Sequence, residues 1–160
     1  AFDAVAKIGH PGSVPVFLAQ LGNSDSQVRR VAVEGIGRTG DAVAMSQMQV
    51  KAEPDQSPYV GHALAFARAR NADYSEMSKL VGGFKYSSLA NQTYLYLVEL
   101  GPAVAAELGT FATNGDPKIR AGVAEVLGVV GDQRAGPGRG LDPQAASRRS
   151  RNHRRRSDHR

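Results

Sequence analysis

One apolar spacing is written out twice between Val28 and Leu127, and it limits what the chain can fold into. Val28, Val31, Ala32, Gly35 and Ile36 stand at i, i+3, i+4, i+7 and i+8, the stripe of an amphipathic helix. Ile119, Gly122, Val123, Val126 and Leu127 repeat the set 91 residues later. That offset is three units of roughly 30 residues, and a fixed period of this size is the signature of a helical repeat array. The flanks repeat as well. Asn23-Ser24-Asp25 leads into Val28-Arg29, and Asn114-Gly115-Asp116-Pro117 leads into Ile119-Arg120. Aspartate or serine there accepts the free amide hydrogens of a first turn, and proline loses little at that position. Gly40-Asp41 and Gly131-Asp132 follow the two helices as matching stops, with Ile8-Gly9-His10-Pro11 and Leu100-Gly101-Pro102 as further copies of the stop.

A second set of helical spacings lies between these: Val14, Phe17, Leu18 and Leu21; Met77, Leu80, Val81 and Phe84; Val104, Leu108 and Phe111. Val43 to Ala52, with Met45 and Met48, is a weaker member. Each unit therefore reads helix, short turn, helix, with breaks near 22–26, 37–42, 53–57, 71–75, 84–88, 101–103 and 113–117. Strand alternation is absent, so the chain is expected to be all α.

The string Asp25, Val28-Arg29-Arg30, Ala32, Ile36-Gly37, Gly40-Asp41, echoed by Asp116, Ile119-Arg120, Leu127-Gly128, Gly131-Asp132, resembles the short HEAT-like repeat of the phycobilisome-lyase type. The resemblance covers about residues 1–135, with two good copies and two degenerate ones between them. It implies a right-handed α-solenoid of about four helix-turn-helix repeats, an armadillo-like helical repeat whose second helices line a concave face. The motif reports packing and not activity, so the implied function is a non-catalytic protein–protein interaction scaffold. Two alternatives stay open: a lyase-like chaperone holding a bilin chromophore in the concavity, and nucleic-acid binding through an arginine-rich tail.

The tail is the sharpest change in composition. Residues 136–160 hold eight arginines and two aspartates, which leaves 12 basic and 13 acidic residues of the chain's 20 and 15 for residues 1–135, net −1. The chain thus divides into a repeat domain, 1–135, and a low-complexity segment, 136–160. In that segment Arg148, Arg149, Arg151, Arg154, Arg155 and Arg156 form a polybasic run that would neutralise phosphates. The same segment lacks the Lys, Glu, Val, Ile, Phe and Tyr that the body uses, as out-of-frame translation of a GC-rich gene would. It reads as a disordered arm or an artefactual sequence. The chain opens inside what looks like the second helix of a unit, so the domain reads as a fragment of a longer solenoid. No signal peptide precedes the first helix, which favours the cytoplasm, and no apolar run reaches the length of a membrane span.

Few residues carry chemistry. With no cysteine, thiolate metal sites and cysteine nucleophiles are excluded. His10, His62, His153 and His159 show no His-Glu or His-x₃-His spacing, and neither a nucleophile elbow nor a phosphate loop is present. No metal, cofactor or catalytic residue is expected. Asp25 with Arg29 and Asp116 with Arg120 read as a structural ladder linking neighbouring units, broken in the middle ones by Val60 and Ala90. The five tyrosines all fall in the two degenerate units. Tyr59, His62 and Phe66 share one stripe of a helix, and with Tyr94 or Tyr96 from the next unit they are expected to form one side of a partner-binding groove. On the alternative reading the rings fill the core beside Ala63, Ala65 and Ala67.

Overall fold

The computed structural model describes residues 1–135, and every regular element among them is helical. The arginine run from Arg148 to Arg156 lies outside the described residues. The α-helices are α1 (Phe2–Ile8), α2 (Val14–Gln20), α3 (Ser26–Thr39), α4 (Ala42–Ala52), α5 (Pro58–Arg70), α6 (Met77–Gly82), α7 (Ser87–Leu100), α8 (Ala105–Gly109) and α9 (Pro117–Ala135). Short 3₁₀ turns join them at Pro11–Ser13, Gly83–Lys85 and Gly101–Val104. The helix expected around Val104, Leu108 and Phe111 is mostly turn: only Ala105–Gly109 is α-helical, and it follows a 3₁₀ segment opened by Gly101-Pro102.

The ends of α3 follow from its sequence. Asp25 accepts the Gln27 amide hydrogen at 2.8 Å and starts the helix, and Gly40, at φ 68°, takes the left-handed conformation that stops it. Asp41 then caps α4 by accepting from the Ala44 amide at 2.8 Å, so two helices are joined by two residues.

Packing runs along alternate helices. α1 lies on α3, α3 on α5, α5 on α7 and α7 on α9, while α2, α4, α6 and α8 pack beside them. The contact of α3 with α5 is the most extensive, and small residues permit it. A Cβ placed on Gly37 would stand 2.6 Å from the Ala67 Cβ and 2.8 Å from its Cα, so the two backbones cross at a point where only glycine fits. Asn71 fastens this crossing by donating to the Gly37 and Ala67 carbonyls at 2.9 and 2.8 Å. Helix α5 carries no charge before Arg68 and is buried on both stripes from Val60 through Ala69, with only Gly61 and Arg68 partly exposed. A helix that is apolar all round belongs in the middle of a molecule, and α5 is its centre.

Candidate functional site

The helix face of α3 that carries Arg30, Glu34 and Arg38, each four residues from the next, builds the most densely charged interior group. Glu34 is buried, at 2 % exposure, and an unpaired carboxylate there would cost several kcal/mol. It is not unpaired. The Tyr96 hydroxyl of α7 and the Arg30 guanidinium both donate to its Oε1, and Arg38 Nη1 donates to Oε2 at 3.3 Å. Arg38 also grips Glu99 of α7 with two parallel bonds of 2.8 Å, a bidentate fork across 61 residues of sequence. The Arg38 guanidinium stands 5.1 Å over the Phe66 ring, and Phe66 stacks on Tyr96 with centroids 4.2 Å apart. Burial raises the Tyr96 pKa and the Glu34 charge adds to it, so the phenol stays protonated and serves as donor. Above this group a cleft of about 490 Å³ opens between α1, α3 and α7, bordered by Asp3, Lys7, Arg30, Gln92, Leu95 and Glu99.

Part of the tyrosine-rich set is brought together: His62 and Phe66 lie against Tyr96, with ring centroids 5.5 and 4.2 Å apart, and Tyr96 also borders the Glu34 cleft. Phe66, His62 and Tyr96 are buried, while Tyr59 and Tyr94 are half-buried. The stripe of α5 that was expected to be free is roofed by Tyr96 from α7 and by Arg38 from α3, so these rings pack against the core. The reason is the close crossing of α3 and α5, which brings α3 near enough to reach α7 over the top of α5. The signal for the real cleft was present in the sequence: Glu34 sits inside an otherwise apolar run, Val31 to Ile36, with an arginine four residues on either side.

The two arginine ladders do different work from that expected. Asp25 spends its carboxylate on the helix cap, and Arg29 pairs with Asp55, at 2.7 and 3.1 Å. Asp55 stands 30 residues after Asp25 and itself caps the next loop by accepting from the Ser57 amide at 2.8 Å. The pairing therefore runs forward along the chain, from Arg29 in the first turns of α3 to Asp55 ahead of α5, into the region where the ladder was expected to break. Beside Arg29 the Asp55 carboxyl is held below its ordinary pKa. Arg29 Nη1 also donates to the Asn23 and Ser24 carbonyls, at 2.8 and 3.1 Å, and Arg120 repeats this on Asn114 and Gly115 at 2.7 and 3.0 Å. The asparagine turns match too, Asn23 accepting from Asp25 at 2.9 Å and Asn114 from Asp116 at 3.0 Å. Asp116, like Asp25, caps its helix, through the Lys118 amide at 2.9 Å. Two segments 91 residues apart thus share the same loop down to individual hydrogen bonds.

His62 lies one turn into α5 and lines the same cleft as Asp55 and Ser57, and its ring is settled by Thr93. The Thr93 hydroxyl donates to the Leu89 carbonyl at 2.9 Å, so its oxygen accepts from His62 Nε2, at 3.0 Å, and fixes the tautomer with Nε2 protonated. Burial, with the nearby Lys79 charge, lowers the His62 pKa to about 4. The imidazole is neutral at physiological pH. Among the described residues no three of His, Asp and Glu converge as a metal site would require, and no helix is long and apolar enough to cross a membrane. No protein-family model matches the chain, and no curated protein matches it.

Proposed function

We propose that the chain is a non-catalytic interaction module, a HEAT-like α-solenoid of short repeats whose second helices, α1, α3, α5, α7 and α9, stack in series and whose cleft over α1, α3 and α7 faces a partner protein. The succession of contacts along these five helices supports the repeat reading, as do the identical loops at Asn23–Arg29 and Asn114–Arg120. The observation that carries the functional reading is the cleft over Glu34. Its floor is a fixed set of ion pairs, so little ordering is left for a partner to impose. Its lining mixes both signs, with Asp3 and Lys7 paired at 3.1 Å, Arg30 and Glu99 beside them, and Leu95 as an apolar member that is 50 % exposed.

An extended peptide of mixed charge with one apolar anchor suits such a surface. Because the rim charges balance, affinity rests on the anchor and depends weakly on salt. Peptides selected from a random library against the full chain should lose binding to Leu95→Arg and keep it with Val50→Arg, a change on the exposed face of α4. Equal binding to both variants would refute the reading.

A further inference from the structure

A second cleft, of about 440 Å³, lies on the other side of α5, between its first turn, the end of α6 and the start of α7. We propose that it binds a phosphate monoester carried on a small apolar or aromatic stem, independently of any peptide at the Glu34 cleft. Two ammonium groups line it, Lys79 and Lys85, and a third is adjacent, because Lys118 donates to the Lys85 carbonyl at 3.4 Å. The one lining carboxylate, Asp55, is taken up by Arg29 and the Ser57 amide, which leaves the cleft electropositive. Lys79 also lies 3.7 Å from Glu76, but Glu76 is shared with Arg68 at 3.0 Å.

Lys79 lies along the first turns of α5, its Cε and Nζ 3.5 Å from where a Cβ on Gly61 would be, an ordinary contact distance. The floor is built. A Cβ on Gly83 would fall 2.2 Å from Thr93 Oγ1 and 2.6 Å from His62 Cε1, which means that bare backbone at 83 is what lets His62 and Thr93 close the bottom of the cleft. His62 is 97 % buried by its 3 % exposure, its Nε2 is committed to Thr93, and Nδ1 has no protein partner among the described residues. In the neutral ring Nδ1 is a bare acceptor; protonated, it becomes a donor. Tyr86, 60 % exposed at the rim, offers an aromatic face to the stem. Two lysines supply charge for a dianionic oxygen cluster, the histidine supplies a further donor when an anion favours its protonation, and the volume suits a small molecule.

The linked proton makes the test local. In the full chain, titration with phenyl phosphate should shift the His62 and Tyr86 ring resonances and raise the His62 pKa, because an adjacent anion stabilises the imidazolium. Inorganic phosphate should move His62 with weaker affinity and leave Tyr86 in place, and phenol should move neither. The variant Lys79→Met/Lys85→Met, checked for an unchanged melt, should bind phenyl phosphate about tenfold more weakly or worse. Static His62 and Tyr86 signals in phenyl phosphate would overturn the proposal, as would undiminished binding by the lysine variant. Equal affinity for phosphate and phenyl phosphate would overturn the role given to Tyr86. Association read only by bulk methods, with His62 unmoved, would assign the anion to the arginine run and also overturn it.

Discussion

Replacing Glu34 by glutamine tests the buried charge group most directly, because the shape is kept and the charge is removed. Glu34 accepts from Tyr96, Arg30 and Arg38. The amide oxygen of glutamine still accepts from Tyr96, Arg38 keeps its fork on Glu99, and the partly exposed Arg30 can turn toward solvent. What is lost is the charge in two or three charge-assisted bonds, each contributing about 1.5–3 kcal/mol when the acceptor is desolvated. Discounting Arg30 for its access to water leaves a net cost of about 3 kcal/mol. For a folded body of this size the melting temperature should fall by roughly 10 °C. Tyr96→Phe, which removes one donor and keeps the stack on Phe66, should cost about 2 kcal/mol. The two changes share one bond, so the double variant should be less damaged than the sum by about 1 kcal/mol. Urea melts followed by circular dichroism give all four corners of the cycle. Glu34→Gln within about 0.5 kcal/mol of the parent, with no coupling to Tyr96→Phe, would refute the buried network.

Stability should also fall with acid through His62. Its folded pKa, about 4, lies below the unfolded value of 6.5, so between these limits the unfolded chain takes up a proton that the folded one refuses. The contribution is complete above pH 6.5 and is lost as the pH falls toward 4, on the order of 3 kcal/mol in total; urea midpoints of His62→Gln should lack this slope. Phe66→Ala, fully buried beneath Tyr96 and Arg38, should cost about 3–5 kcal/mol in the same assay, and a loss under 1 kcal/mol would mean that the α7 roof is absent. Gly37→Ala should force α3 away from Ala67 and cost about 1–3 kcal/mol by thermal melt, while Gly22→Ala, where a Cβ meets nothing, should be neutral. Asp25→Ala and Asp116→Ala each remove an equivalent cap and should cost about 1 kcal/mol, additively, since the two loops are far apart in the chain.

The helices and their breaks could be read from periodicity because each apolar stripe is a local feature. Val31, Ala32 and Ile36 lie buried as their spacing implies, and Asp25, Gly40 and Asp41 terminate helices within a residue or two of where their chemistry places them. The site was less legible, since a helical wheel shows that two stripes of α5 are apolar but not how near the flanking helices stand. That distance is set by Gly37 against Ala67, a contact between residues 30 apart, and it decides that Tyr96 covers Phe66. The partner of Arg29 was misjudged for a related reason. A search within the helix finds Asp25, four residues back, whereas the roughly 30-residue spacing read in the sequence points to Asp55.

In a stack where every unit touches only the next, units can be gained or lost in evolution with little effect on more distant ones. The Arg38–Glu99 fork and the Tyr96–Glu34 bond work against such independence, because they join α3 to α7 over 61 and 62 residues, past the whole of α5. Deleting or duplicating the segment of α5 and α6 would leave Glu34 without its Tyr96 donor and Arg38 without its fork on Glu99. Insertions and deletions between α3 and α7 should therefore cost more than those outside that span. The same bonds tie the ends of the span into one cooperative block, so α5 should exchange its amide hydrogens only when the whole block opens.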